Sequence, residues 1–66
     1  MNIKITLDTD NAAFHGEEGE NNNGMETARI LRDLANAIKD RELTPTNYAG
    51  LRDFNGNTVG TFEVTK

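Results

Sequence analysis

The chain has 66 residues, no cysteine, and seven Lys plus Arg against eleven Asp plus Glu, a net charge of −4. That length supports one domain over residues 1–66, close to the size at which an apolar core barely outweighs chain entropy. Without cysteine there is no disulfide staple, thiolate zinc site or cysteine nucleophile, and the acidic balance disfavours phosphate backbones and anionic lipid.

The first element is a strand. Ile3, Ile5 and Leu7 alternate with Asn2, Lys4, Thr6 and Asp8, the period of two expected of a strand with one buried face. The opening "MNIKITLDTD" lacks the basic start and long apolar run of a signal peptide, and nothing in the chain approaches the roughly 20 apolar residues of a membrane span. A soluble cytoplasmic protein is expected. From 11 to 24 the alternation stops, and "HGEEGENNNG" collects Gly, Asn and Glu without an apolar residue, which predicts a mobile acidic loop.

Helical spacing begins at Met25 and predicts a helix to about Leu43, with Ile30, Leu31, Leu34, Ala35 and Ile38 on one face. On the charged face, Glu26 with Arg29 and Arg29 with Asp33 are three and four residues apart and can pair across turns. Pro45 forbids further helix and pushes Thr44 toward extended geometry. The last stretch, "LRDFNGNTVGTFEVTK", predicts a hairpin. With Asn55-Gly56 as a two-residue turn, Leu51 faces Gly60 and Ala49 faces Phe62, so that Ala49, Leu51, Phe62 and Val64 share the face a helix would cover. A three-residue loop ending in Gly56 is the second arrangement, and it would separate Leu51 from Phe62 and Val64. The other face then carries Tyr48, Arg52, Phe54, Val59, Thr61 and Glu63. The sum is a small α+β domain of two layers in the order β-α-β-β, a three-stranded sheet with one helix packed on one face.

Few constellations carry chemistry. His15 with Glu17, Glu18 and Glu20 offers one imidazole among carboxylates on a Gly-rich segment, whereas transition-metal sites want several nitrogen or sulfur ligands on rigid elements. Asp53-x-Asn55-x-Asn57 matches the first ligand positions of a calcium loop but has Thr58 where the glycine belongs and Val64 where the bidentate acid belongs. Asp8-x-Asp10 fails likewise, with Ala12 and Gly19 at the corresponding positions. Turns explain both patterns. With one His, no Cys and no Ser, there is no nucleophilic triad, so no enzyme, metal or cofactor is expected. A binding surface is the remaining class. Tyr48, Arg52, Phe54 and Val59 offer aromatic and guanidinium anchors on an uncovered sheet face, and Asp8, Asp10, Glu17, Glu18 and Glu20 an acidic patch able to meet a basic groove.

The pattern "KITLDTDNAAF", then "ARILRDLA", then "LRDFNGNTVGTFEV" resembles a group of very short proteins encoded by bacteriophages, prophages and related mobile elements. The resemblance covers about two thirds of the chain, on the usual sizes of such elements, and carries no catalytic or ligand residues to transfer. It implies a small acidic protein in the cytoplasm of an infected or lysogenic bacterium. Such a protein would bind and modulate a host protein, one with a basic nucleic-acid-binding groove, as an inhibitor of a bacterial defence system such as an anti-CRISPR protein does. No direct contact with nucleic acid or membrane is expected. A structural or self-associating homodimer with no host target is the alternative.

Overall fold

A computed structural model of the chain describes residues 1–10, 14 and 23–66. Its elements are a strand β1 (Asn2–Leu7), a helix α1 (Asn23–Ile38) and two further strands, β2 (Tyr48–Arg52) and β3 (Thr58–Thr65). The strands form one antiparallel sheet in the order β1-β3-β2, and the helix lies against one face. This is the α+β arrangement that the alternation, the helical spacing and the hairpin signal predict.

The helix begins at Asn23, so Asn23 and Gly24 belong to its first turn rather than to a loop; the rest of the predicted acidic loop, Phe14 excepted, lies outside the described residues. It also stops at Ile38, five residues short of the predicted end. After Ile38 the run "KDRE" offers no apolar group to extend the buried row, and the chain turns, with Arg41 N–H donating to the Ile38 carbonyl at 3.0 Å. Leu43 still packs on the core edge, and Thr44 to Asn47 closes a turn around Pro45, the Asn47 amide donating to the Thr44 carbonyl at 3.0 Å.

The buried row of the helix is narrower than its apolar composition suggests. Glu26, Ile30 and Leu34, spaced by four, are buried, with Ile38 partly so, whereas Leu31 and Ala35 face solvent. Across from them stand Leu51, Val59, Phe62 and Val64, and Phe14 completes the core with no exposed surface. Burying side chains of this size contributes about 1.5–3 kcal/mol each before entropy is charged against it.

The hairpin uses the three-residue loop. Asp53 and Asn57 close it, with Asp53 N–H donating to the Asn57 carbonyl at 2.9 Å and Gly56 N–H to the Asp53 carbonyl at 3.0 Å. Gly56 takes φ +84, a region that a Cβ disfavours. This loop alone would put Leu51 out of step with Phe62. One extra residue in β3 corrects it: Arg52 pairs with Thr58, but Leu51 pairs with Gly60 and Ala49 with Phe62, leaving Val59 as a bulge. The bulge turns Val59 onto the helix side, where only 8% of it is exposed, and so overturns its expected place on the outer face.

Candidate functional site

Because β1 and β2 both run antiparallel to β3, their C-terminal ends lie at the same end of the sheet. Leu7 and Leu51 flank Gly60, and the Asp8 amide donates to the Val59 carbonyl at 2.7 Å, which brings Asp8 beside the Arg52 level of the hairpin. The first turn of α1 reaches the same end. Asp8, Glu26, Arg29, Arg52, Asp53 and Phe54 are thereby gathered from four elements.

Two buried carboxylates organise that end. Glu26, 4% exposed, accepts Arg29 Nε at 2.7 Å on one oxygen, and Arg29 Nη2 at 3.0 Å and the Phe54 backbone N–H at 2.9 Å on the other. Arg29 continues the network to Asp33 at 2.8 Å and to the Arg52 carbonyl at 3.2 Å. The hydrogen bonds from Arg29, helped by the Phe54 amide and the arginine charge, hold the Glu26 carboxyl below its ordinary value of 4.5 against the opposing effect of burial; the same contact raises Arg29. Glu26 and Arg29 do pair as their spacing predicts, but in a buried joint between helix and hairpin rather than on an exposed face.

Asp53, also 4% exposed, works inside the loop. Its Oδ1 accepts the backbone N–H groups of Asn55 and Asn57, each at 2.9 Å. This is the physical reason for the Asp-x-Asn-x-Asn spacing that superficially suggests a calcium loop: the acid is spent on backbone amides.

Phe54 sits between these two anchors with its amide held and the residue 63% exposed. Arg52, exposed, precedes it. Tyr48 is 65% exposed but pairs with Glu63 at the other end of β2, four residues and roughly 13 Å from Arg52 at the usual strand rise. The proposed aromatic face is thus divided: Phe54 and Arg52 at the hairpin end, Tyr48 at the far end, Val59 in the core. The outer face between is polar, with Lys4, Thr6, Thr61 and Glu63, and the Thr6 and Thr61 hydroxyls 3.0 Å apart. Asp8 and Asp10 are exposed, the Asp10 amide donating to Asp8 Oδ1 at 3.0 Å, while Glu17, Glu18, Glu20 and His15 lie outside the described residues.

Between α1 and β2 runs an open crevice of about 320 Å³, lined by Arg29, Asp33, Leu34, Ala37, Gly50 and Arg52. Among the described residues no three His, Cys, Asp or Glu side chains are grouped as a metal site would need, and no helix is long and apolar enough to cross a membrane. What the fold and this end define is a small α+β domain presenting a braced hairpin tip. No protein-family model, curated protein or solved structure matches the chain.

Proposed function

We propose that this chain is a non-catalytic protein-binding module and that the hairpin end is its contact surface, with Phe54 as the apolar anchor. The observation that carries this reading is a large aromatic residue left 63% exposed on a loop whose backbone is pinned by two buried carboxylates. Ordering a loop in advance removes part of the entropy cost of binding, and an aromatic side chain supplies much apolar area for few rotatable bonds. Arg52 beside it and the exposed carboxylates of Asp8 and Asp10 at the same end supply polar contacts, and those two carboxylates suit basic groups on a partner. Tyr48 serves this surface only if the partner spans the length of β2.

The sequence resemblance to short phage and prophage proteins supports a bacterial target. In that setting the module acts stoichiometrically on a host protein with a basic groove, as an inhibitor of a defence system such as an anti-CRISPR protein would. The test is capture from bacterial lysate with immobilised parent chain and with Phe54→Ala. A protein retained by the parent at low salt, released as salt rises and lost with Phe54→Ala is the expected result. A protein retained equally by both overturns the assignment of this surface.

A further inference from the structure

Strand β1 is an edge of the sheet, and the helix does not cover it. Ile3 and Ile5 lie opposite Val64 and Phe62, each of which is 2% exposed, yet Ile3 is 51% and Ile5 43% exposed. Apolar cover ends between two neighbouring strands. The backbone of β1 is equally open. Asp8 N–H points to β3, where it meets the Val59 carbonyl, and Val64 N–H points away from β1 to the Asn47 carbonyl. By the alternation of an antiparallel ladder, the N–H and C=O groups of Ile3, Ile5 and Leu7 face the outer edge, where no strand pairs with them among the described residues.

We infer that β1 pairs antiparallel with β1 of a second copy, giving a two-fold dimer with a continuous six-stranded sheet. This goes beyond the hairpin-end reading and uses the β1 edge of the sheet, sharing with that surface Asp8 alone. The sequence of β1 is self-complementary in one register. With Ile5 opposite Ile5 of the other copy on the two-fold axis, Ile3 faces Leu7, Lys4 faces Thr6 and Asn2 faces Asp8, each twice by symmetry. Every outward N–H and C=O of residues 3, 5 and 7 then finds a partner, and the three apolar side chains form one uninterrupted stripe on the helix side. On the other side each Lys4 has two diagonal neighbours in the second copy, Asp8 and the other Lys4, so the register rests on the apolar stripe and the backbone pairing rather than on charge. The neighbouring registers are poorer. Centring on Lys4 sets two ammonium groups face to face, and centring on Thr6, although it sets Lys4 opposite Asp8, leaves Ile3 opposite Thr9 with no apolar partner.

The chain contains no cysteine, so a single one reports the register. Directly opposed residues in such a hydrogen-bonded pair sit about 5.5 Å apart at Cα, within the span of a disulfide. Under mild oxidation, Ile5→Cys should form a covalent dimer about tenfold faster than Lys4→Cys, Thr6→Cys or the hairpin control Asn55→Cys, because only position 5 meets itself on the axis at high effective concentration. In sedimentation runs across concentrations the parent should populate a dimer. Ile5→Lys, which places two charges on the axis at a half-exposed position, should be monomeric with an unchanged far-UV circular dichroism spectrum. A parent that stays monomeric, an Ile5→Lys chain that dimerises like the parent, or crosslinking no faster at position 5 than elsewhere overturns the inference.

Discussion

Glu26→Gln isolates the joint between helix and hairpin. The carboxylate accepts three hydrogen bonds, two from Arg29 and one from the Phe54 amide. A glutamine has one acceptor oxygen, so its NH₂ must face either Arg29 Nε or the pair formed by Arg29 Nη2 and the Phe54 amide, and at least one buried donor loses its acceptor. Leaving such a donor unmatched costs about 1–3 kcal/mol; with Arg29 36% exposed and still bonded to Asp33 and Arg52, the lower part, about 1–2 kcal/mol, applies. For a domain of this size that lowers Tm by roughly 5–15 °C at neutral pH. The pH dependence follows from the lowered carboxyl. A group whose folded pKa lies below its unfolded one stabilises fully above the unfolded value, here 4.5, and loses that contribution as pH falls through the folded value. Thermal melts followed by circular dichroism should therefore show the gap between parent and Glu26→Gln widest near neutrality and narrowing as the solution is acidified below 4.5. Equal melting temperatures near neutrality, or a gap that persists undiminished in acid, would refute the joint as described.

Substitutions at three other positions probe the frame. Leu34→Ala removes a buried side chain from the middle of the helical row and should destabilise by about 2–5 kcal/mol, enough to unfold much of a domain this small, as denaturant titration will show. Gly56→Val should disrupt the loop and Gly56→Asn should be milder, because at φ +84 a β-branched residue is far less tolerated than asparagine; equal melting temperatures for the two would place the turn elsewhere. Gly60→Ala places a methyl group against the Thr6 carbonyl of β1 and should loosen the β1–β3 ladder, seen as faster amide exchange in residues 2–7 with the β2–β3 hairpin less affected.

Much of the architecture is legible in the sequence, since alternation in "NIKITL" and four-residue spacing from Ile30 to Ile38 are direct consequences of strand and helix geometry. The hairpin shows where that logic gives out. Both the two-residue turn and the three-residue loop accommodate Asn55-Gly56, and the choice depends on Asp53 bonding two amides and on a bulge at Val59 that restores the register. A single inserted residue leaves no periodic trace. Glu26 is missed as an interior residue for a related reason: carboxylates are seldom buried without partners, and its partner Phe54 is 28 residues away in sequence. Phe14, fully buried, stands alone between strand and helix with no periodic neighbour to mark it. The apolar alternation of β1, by contrast, announces a buried face that α1 leaves half open at Ile3 and Ile5.

The claim that the hairpin end binds a protein partner is tested most directly by the kinetics of whatever protein the parent chain captures. Phe54→Ala should leave association nearly unchanged and speed dissociation by roughly 30-fold, the equivalent of a hot-spot loss of about 2 kcal/mol. Replacing Glu17, Glu18 and Glu20 together with Gln should instead slow association and flatten its salt dependence, since a change of net charge acts mainly on encounter. A partner that dissociates from Phe54→Ala at the parent's rate would contradict the account and direct the search to the polar helix face around Arg32.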